Sequence, residues 1–326
     1  MKRLEDQTRR LQTRLAELAD LERVLIGTSP QIAQVRDLVF EFATSRANVL
    51  ILGDTGTGKE LVARALHDLG ADPAAPFIAV NCAAIPPARF EETILGTADA
   101  PDGLLSQADG GTLFLDELSS MPADTQSQFL RVLETKQYRR SGETTVRTAQ
   151  FRVISATSDQ ITARAPQGGF REDLLFRLNT LVIELPGLAN RGDDILLLFR
   201  HYINRLAQLY DIEPPALSND DVSALLAHPW PGNVRELQSV AERRVLAARS
   251  GGGSVRLALA GQTADAAFPG TLREAMAAFE RELIARALRE QDGRMDDVAE
   301  VLGIGRRTLN EKIVKLGLDK EAVLRG

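Results

Sequence analysis

Cysteine is almost missing from this chain of 326 residues, in which Cys82 is the single example. One thiol cannot form an internal disulfide, and no other metal-binding side chain accompanies it in the sequence, so a disulfide scaffold is excluded. We expect Cys82 to be a small core residue of a protein that works in the reducing cytoplasm.

Long hydrophobic runs are also missing. No apolar run approaches the roughly 20 residues that a membrane-spanning helix needs, and the charged N-terminus is unlike a signal peptide. We therefore expect a cytoplasmic protein without a membrane partner. The composition, 44% hydrophobic and 26% charged, is that of a globular protein with room for about two domains. The net charge of -6 weakly disfavours nonspecific nucleic-acid binding by the whole molecule, although a local basic surface could still bind.

The most informative segment is a glycine-rich loop between an apolar run, residues 48–52, and a helical pattern, residues 61–66. Such a loop turns backbone N–H groups toward the β- and γ-phosphates of a nucleoside triphosphate, and a lysine adds a full positive charge. Glu60 stands where these loops usually have the Ser or Thr that ligates Mg²⁺. We assign nucleotide binding to Gly53, Asp54, Thr55, Gly56, Thr57, Gly58, Lys59 and Glu60.

Two acidic residues follow another apolar run, residues 113–115. Asp116 is expected to hold Mg²⁺ and Glu117 to polarise the attacking water, at the sheet edge where ligands bind in doubly wound folds. A solvated turn is the alternative for such an acidic pair. The glycine-rich loop upstream favours the catalytic interpretation.

The chain reads as five segments. Leucines at intervals of seven, Leu4, Leu11, Leu18 and Leu25, predict a coiled coil or signalling helix over residues 1–25, with a helix packed on its own domain as the alternative. Residues 26–188 alternate apolar strands with helices and predict an α/β fold with a parallel sheet. Residues 189–250 predict a helical lid, 251–270 a flexible linker and 271–320 a final all-α unit.

Three arginines are candidates for contacts with the triphosphate. Arg171 and Arg177 lie six residues apart, and in a ring of subunits they would reach the γ-phosphate held by a neighbour. Ion pairs with Glu172 and Asp173 are the alternative. Arg235 falls on the first turn of a lid helix, where it would sense bound phosphate.

The C-terminal unit has the pattern of a helix-turn-helix, with helices over residues 279–288, 295–302 and 306–316. The N-terminal end of the last helix is expected to meet base edges, and its later lysines to meet phosphates. A three-helix module without DNA binding is the alternative. The DNA-binding candidates are Arg306, Arg307, Thr308, Asn310, Lys312 and Lys315.

Residues 81–84, 110–117, 170–174 and 230–237 resemble segments of the AAA+ domain of bacterial enhancer-binding proteins of the NtrC and DctD type, and the C-terminal unit resembles their Fis-type DNA-binding domain. In that family Glu is usual after the loop lysine. The resemblance implies ATP and Mg²⁺ as cofactors and a ring-shaped homo-oligomer, a hexamer or heptamer. It further implies RNA polymerase as a partner, and a homodimer of the C-terminal unit on double-stranded promoter or operator DNA.

The resemblance also implies residue roles. Asn81 would restrain the catalytic Glu117, Arg171 and Arg177 would act in trans, and Arg235 would be the second sensor. The first sensor, which couples the γ-phosphate to the rest of the ring and is normally Thr-Asn, reads Thr157-Ser158 here, a departure from the family pattern.

The larger departure is the missing GAFTGA loop, which contacts sigma-54 in the family. Only residues 97–102 stand in its place, too few for a protruding loop. We expect a regulator without the standard sigma-54 contact, acting through the housekeeping polymerase or as a repressor. The alternatives are an ATP-hydrolysing sigma-54 activator with a divergent loop, and an AAA+ chaperone-like ATPase. The family usually begins with a receiver domain, and this chain begins within the linking helix, so the domain was either removed or is lacking.

Overall fold

The computed structural model describes residues 19–98, 102–158, 161, 169–249, 252–263 and 293–316, with the single residues 280, 284, 287, 288 and 291. The chain divides into two compact units, residues 1–258 and 259–326. None of the helices in these described ranges combines the length and apolar composition needed to cross a membrane.

The α/β part of the first unit alternates helices and strands. Its elements are α1 (Pro30–Ala43), β1 (Val49–Leu52), α2 (Lys59–Asp68), β2 (Phe77–Asn81), α3 (Pro87–Leu95), α4 (Leu104–Gln107), β3 (Thr112–Asp116), α5 (Ala123–Thr135), β4 (Gln137–Tyr138), β5 (Arg147–Thr148), β6 (Arg152–Thr157), α6 (Glu172–Leu178) and β7 (Leu181–Glu184). Short 3₁₀ turns follow β2 and β3, and a third spans Leu188–Arg191.

Five strands form one parallel sheet in the order β2-β3-β6-β1-β7, and β4 and β5 form a separate antiparallel hairpin. Successive residues of β1 point to opposite faces of the sheet: Val49 and Ile51 join one apolar cluster, and Leu50 and Leu52 join another. All four are buried. The predicted parallel sheet, covered by helices on both faces, is confirmed.

The parallel arrangement brings functional residues to one edge. The carboxyl ends of β1, β3 and β6 lead into the glycine-rich loop, the acidic pair and Thr157 respectively. The ends of parallel strands meet at the same edge of a sheet, so the topology alone gathers these segments.

A helical lid follows the sheet, with α7 (Asp194–Leu209), α8 (Asn219–Ala227) and α9 (Asn233–Arg249). Asp194, at the start of α7, is buried and accepts hydrogen bonds from Ser29 Oγ at 2.6 Å and from Arg191 Nε at 3.1 Å. Burial alone would raise the pKa of Asp194, but hydrogen bonds from Ser29, Thr28 and Arg191 outweigh burial and hold the pKa below its ordinary value. This carboxylate fastens the lid to the chain segment that enters α1.

The predicted flexible linker over residues 251–270 needs correction, because it contains α10 (Val255–Thr263). The side chain of Val255 is buried, and its N–H donates to Asp221 Oδ1 at 2.7 Å. Arg243 Nε donates to the carbonyl of Ala258 at 2.7 Å. These contacts with α8 and α9 hold the start of α10, and leucine and alanine favour its helical form. Residues 264–270 lie outside the described ranges.

Leu25 is the last leucine of the predicted seven-residue repeat. It is buried together with Leu21 in the cluster that contains α1 residues Ile32 and Val35. At this end of the repeat, therefore, the alternative of a helix packed on its own domain holds. Leu4, Leu11 and Leu18 lie outside the described residues.

The second unit contains α11 (Met295–Val301) and α12 (Arg306–Lys315), joined by a turn in which Gly303 has φ +64°. Leu309 of α12 is fully buried against Val298 and Ala299 of α11 and against the helical residues Ile284 and Leu288. The predicted helix-turn-helix is confirmed.

Candidate functional site

The glycine-rich loop follows β1 and opens α2. Lys59 is 7% exposed, and its Nζ donates to the carbonyls of Gly53 at 2.7 Å and Asp54 at 3.2 Å. The backbone N–H groups of Gly56, Gly58 and Lys59 have no hydrogen-bond acceptor within the described part of the chain. A lysine ammonium and several free N–H groups at a helix N-terminus form a cradle that suits phosphate oxygens.

The lid closes directly on this loop. The carbonyl of Gly56 accepts hydrogen bonds from the N–H groups of Val234 at 3.0 Å and Arg235 at 3.3 Å. A Cβ atom at position 56 would lie 2.3 Å from the carbonyl oxygen of Gly232, so only glycine allows this approach. The Arg235 side chain is exposed, and its backbone N–H lies against the loop. Its proposed role as a sensor of bound phosphate stays a prediction.

Asn233 is a residue at this junction that the sequence analysis did not single out. Its Nδ2 donates to the carbonyl of Thr55 at 3.0 Å, and its Oδ1 accepts from the N–H of Leu188 at 2.7 Å. Asn233 has φ +50°, a left-handed conformation that asparagine tolerates better than most residues. An asparagine directly after Pro231-Gly232 is typical of a turn that starts a helix, and this pattern could have indicated a structural role for Asn233.

The acidic pair lies beside Asn81, because Asn81 and Asp116 are register partners at the ends of β2 and β3. Asp116 Oδ1 accepts from the N–H of Glu117 at 2.9 Å, and Glu117 has φ +50°. Asn81 Oδ1 accepts from the N–H of Ala83 at 2.9 Å. Thus the structure brings Asn81 and Asp116 together, and the Asn81 side chain bonds to the backbone of Ala83.

Cys82 lies under the same strand ends and is buried. Burial, followed by the charge of Asp116 and then that of Glu117, raises the pKa of the thiol to about 12. A protonated, buried thiol is neither a nucleophile nor a metal ligand. The expectation that Cys82 is a small core residue is confirmed.

Thr157 ends β6 next to the glycine-rich loop, where its carbonyl accepts from the N–H of Gly53 at 3.2 Å. The Thr157 side chain is fully buried, and its Oγ1 has no hydrogen-bond partner among the described residues. Buried hydroxyls are normally satisfied, so this orphaned group fits a site that receives a polar ligand.

Arg171 is paired within its own chain. Its Nη2 lies 2.7 Å from Asp173 Oδ2, its Nε donates to Asp173 Oδ1 at 3.0 Å, and its Nη1 donates to Ser127 Oγ at 3.0 Å. The hydrogen bond and charge of Asp173 raise the pKa of Arg171, and the same bond lowers the pKa of Asp173. The predicted alternative, an ion pair with Asp173, is therefore present in this state; both groups are exposed, so the pair is weak.

Arg177 lies at the other edge of the sheet from the glycine-rich loop. It is exposed near the end of α6, and its carbonyl accepts from Asn48 Nδ2 at 2.9 Å, just before β1 begins. The loop follows the opposite end of β1. Measured along β1, the backbone of Arg177 is therefore roughly 13 Å, the length of that strand, from the glycine-rich loop of the same chain.

The two ends of the segment over residues 97–102 lie close together. A Cβ atom on Gly103 would lie 2.3 Å from the N atom of Gly96, so the two ends of residues 97–102 are in contact. The carbonyl of Gly96 also accepts from the N–H of Ser141 at 2.9 Å, which ties this end of the segment to the β4–β5 hairpin. Residues 99–101 lie outside the described ranges.

The basic residues of α12 are engaged with acidic neighbours in the second unit. Arg306 lies 2.8 Å from Asp296 and Arg307 lies 3.1 Å from Glu311. Lys312 lies 2.7 Å from Glu280, whereas Thr308 and Asn310 are exposed. The side chain of Lys315 lies outside the described residues. Exposed ion pairs contribute little stability, so these basic side chains can exchange their carboxylates for other hydrogen-bond acceptors at small cost.

Three family models match consecutive parts of the chain. Residues 25–184 match the sigma-54 interaction domain, residues 189–258 the AAA+ ATPase lid domain, and residues 275–316 the Fis family of bacterial regulatory proteins.

Individual proteins agree with these matches. The chain is 40% identical over 326 residues to the C4-dicarboxylate transport transcriptional regulatory protein DctD of Pseudomonas aeruginosa, covering 98% of this chain and 70% of the regulator. It is 36% identical to the DNA-binding transcriptional regulator NtrC of Salmonella typhimurium, covering 90% and 70%. A crystal structure of NtrX from Brucella abortus in complex with ATP is similar with a TM-score of 0.70 and 34% identity, covering 97% of this chain and 75% of that one. The chain therefore belongs to the bacterial enhancer-binding protein family, the NtrC-type regulators that join a sigma-54 interaction AAA+ domain to a Fis-type helix-turn-helix.

Proposed function

We propose that this chain is an ATP-binding, DNA-binding transcriptional regulator in which nucleotide held between copies controls their assembly on promoter DNA. The observation that carries the proposal is the closure of the lid on the glycine-rich loop, through Gly56 and Asn233. Because the lid is bonded to the loop itself, a ligand in the loop is able to set the position of the lid. The relative NtrX was crystallised with ATP, which supports the choice of nucleotide.

Each residue of the site has a proposed task. The Lys59 ammonium and the free N–H groups of Gly56, Gly58 and Lys59 would bind the phosphates, and the Thr157 hydroxyl would donate to a phosphate oxygen. Asp116 holds Mg²⁺, with Glu60 beside the loop, and the bound ion would neutralise charge on the phosphates. Glu117 orients the attacking water, and Asn81 restrains Glu117. Arg235 senses the phosphate from the lid.

Arg171 and Arg177 are proposed to act on a neighbouring copy. Arg177 lies at the sheet edge opposite its own loop, so a nucleotide that it contacts belongs to another subunit. Arg171 would exchange Asp173 for that phosphate, which costs little because the pair is exposed. Such head-to-tail contacts generate a ring when the rotation closes. We propose a hexamer or heptamer, the ring size that the family resemblance implies.

DNA binding is assigned to α12. Arg306, Arg307, Thr308 and Asn310 would meet base edges, and Lys312 and Lys315 would meet phosphates. Two copies of the unit would bind a two-fold site with half-sites about 34 Å apart. RNA polymerase is the proposed partner at the promoter, in the cytoplasm.

The contact with sigma-54 is proposed to be lost, because residues 97–102 join two ends that already touch. A second candidate, an ATP-hydrolysing sigma-54 activator with a divergent loop, is favoured by the match of residues 25–184 to the sigma-54 interaction domain. Co-sedimentation of the protein with sigma-54, in the presence of ADP and aluminium fluoride, separates the two. We expect no complex, and a stable complex would establish the second candidate.

A further inference from the structure

A cavity of about 380 Å³ opens at the N-terminal edge of the sheet, away from the glycine-rich loop. Its wall includes Thr112 and Arg152, which begin β3 and β6. The nucleotide site uses Asp116 and Thr157, at the far ends of the same strands. Six residues of β6 separate the two places by roughly 17 Å. The cavity is therefore distinct from the nucleotide site.

The charges that line the cavity are unbalanced. Arg46, Lys136 and Arg152 contribute three cationic side chains, and Asp72 is the one carboxylate in the lining. No ion pair joins any of these three cations to a carboxylate within the described residues. This local excess of positive charge occurs in a protein with a net charge of -6.

Three backbone carbonyls hold the Arg152 side chain in the lining of the cavity. Its guanidinium donates to the carbonyls of Phe42 at 2.7 Å, Ala43 at 2.9 Å and Ala47 at 3.2 Å, at and beyond the end of α1. These bonds use three of its five N–H donors and leave two for another acceptor. Burial lowers the pKa of Arg152 to about 10, because water is largely excluded.

Lys136 is held similarly. Its Nζ donates to the carbonyl of Phe151 at 3.3 Å and lies 4.8 Å above the centre of the Phe151 ring. Burial, and then the charge of Arg177, lowers the pKa of Lys136. Two of its three ammonium donors are left over. Partly burying cations without a carboxylate partner is costly, so two such groups in the lining of one cavity favour an anion there.

We propose that this cavity binds a small oxyanion of the phosphate or phosphate-ester class. Three cations against one carboxylate leave an excess of two positive charges, which a phosphate dianion neutralises. Lys136 and Arg152 supply charge-assisted donors from fixed positions, and Arg46 closes over the anion from the exposed rim. The inference does not depend on ATP binding at the glycine-rich loop, and β3 and β6 join the two sites directly.

The test is titration of inorganic phosphate by calorimetry and by phosphorus NMR, on the full chain carrying Lys59→Ala so that the glycine-rich loop is disabled. Adding Arg46→Gln and Lys136→Gln is expected to weaken phosphate binding tenfold or more. The matched control adds Arg89→Gln and Arg200→Gln, which remove the same charge from exposed positions elsewhere, and should bind as the reference does. Arg46→Gln alone touches only an exposed side chain and keeps the test valid if Lys136→Gln impairs folding.

Two results would overturn the inference. One is that the Lys59→Ala chain binds no phosphate, including the case in which wild-type binding disappears with Lys59→Ala. The other is that the Arg46→Gln/Lys136→Gln variant and the control variant bind phosphate equally. If the Arg46→Gln/Lys136→Gln variant loses self-association and no phosphate binds to the reference, the cations bind an acidic side chain of a second copy, and the inference fails. A succinate titration that matches the phosphate titration would replace phosphate by a dicarboxylate and contradict the proposed class.

Discussion

Asn233 Nδ2 lies 3.0 Å from the carbonyl oxygen of Thr55, so the first residue of a lid helix is bonded to the loop that would cradle the phosphates. The same side chain accepts from the N–H of Leu188, between the sheet and the lid. The side-chain amide of Asn233 thus connects the loop, the segment between sheet and lid, and the lid. Removing it should weaken the binding of a nucleotide in the loop.

Asn233→Gly is expected to weaken ATP binding about tenfold, because it removes two hydrogen bonds of a buried amide while glycine still accepts the left-handed backbone. Asn233→Ala should bind no better, since alanine adds strain at φ +50°. Fluorescent-nucleotide titration measures both. Asn204→Gly, at an exposed position of α7, tests for a general effect on the lid, and equal affinity in wild type and Asn233→Gly would show that the bond does not matter for binding.

Lys59→Ala is expected to abolish ATP binding, because it removes the buried ammonium that the loop positions. The measurement is equilibrium binding of ATP, with circular dichroism to confirm folding. Lys312→Ala, in the second unit, should bind ATP normally. ATP-dependent assembly that survives in Lys59→Ala would refute the assigned site.

Glu117→Gln should bind ATP and fail to hydrolyse it, because glutamine keeps the shape of the side chain and cannot polarise the attacking water. Release of phosphate from a saturated enzyme measures this. Glu134→Gln, on the exposed side of α5, serves as the control. Unchanged turnover in Glu117→Gln would remove Glu117 from its role.

Arg307→Ala is expected to weaken specific DNA binding by about 1–3 kcal/mol if it reads a base. Arg307 also pairs with Glu311, so the variant loses only an exposed ion pair and should remain folded. The comparison is operator affinity at fixed salt, with Arg294→Ala at the start of α11 as the control. An operator affinity equal to that of the wild type would exclude Arg307 from recognition.

Asp194→Asn should destabilise the first unit by about 3–5 kcal/mol at pH 7, because it leaves the buried Arg191 without its carboxylate. The folded pKa of Asp194 is depressed, so its contribution is complete above the ordinary value of 3.8 and is lost as the pH falls through the folded pKa. The difference in free energy of unfolding between wild type and variant should therefore shrink below pH 4. Urea unfolding at pH 7 and pH 3 measures it, and a constant difference would contradict the assignment.

The parallel sheet, and the segments that meet at its carboxyl end, could be predicted from the sequence, because both follow from local patterns of apolar and functional residues. Buried strands appear as apolar runs, and parallel topology alone places Lys59, Asp116 and Thr157 at one edge. The helix over Val255–Thr263 escaped prediction because its stability comes from contacts with Asp221 and Arg243, far away in sequence. Asn233 was missed for the same reason, since its partners Thr55 and Leu188 are distant along the chain.

The central claim is that a nucleotide bound by one copy is completed by an arginine of the next. Mixing two inactive variants, Glu117→Gln and Arg177→Ala, tests it, with steady-state ATP turnover as the readout. Seams that combine an intact Glu117 with an intact Arg177 make up about a quarter of an equal mixture, so we predict about a quarter of wild-type turnover. Turnover in the mixture no higher than in either variant alone would contradict a site shared between subunits.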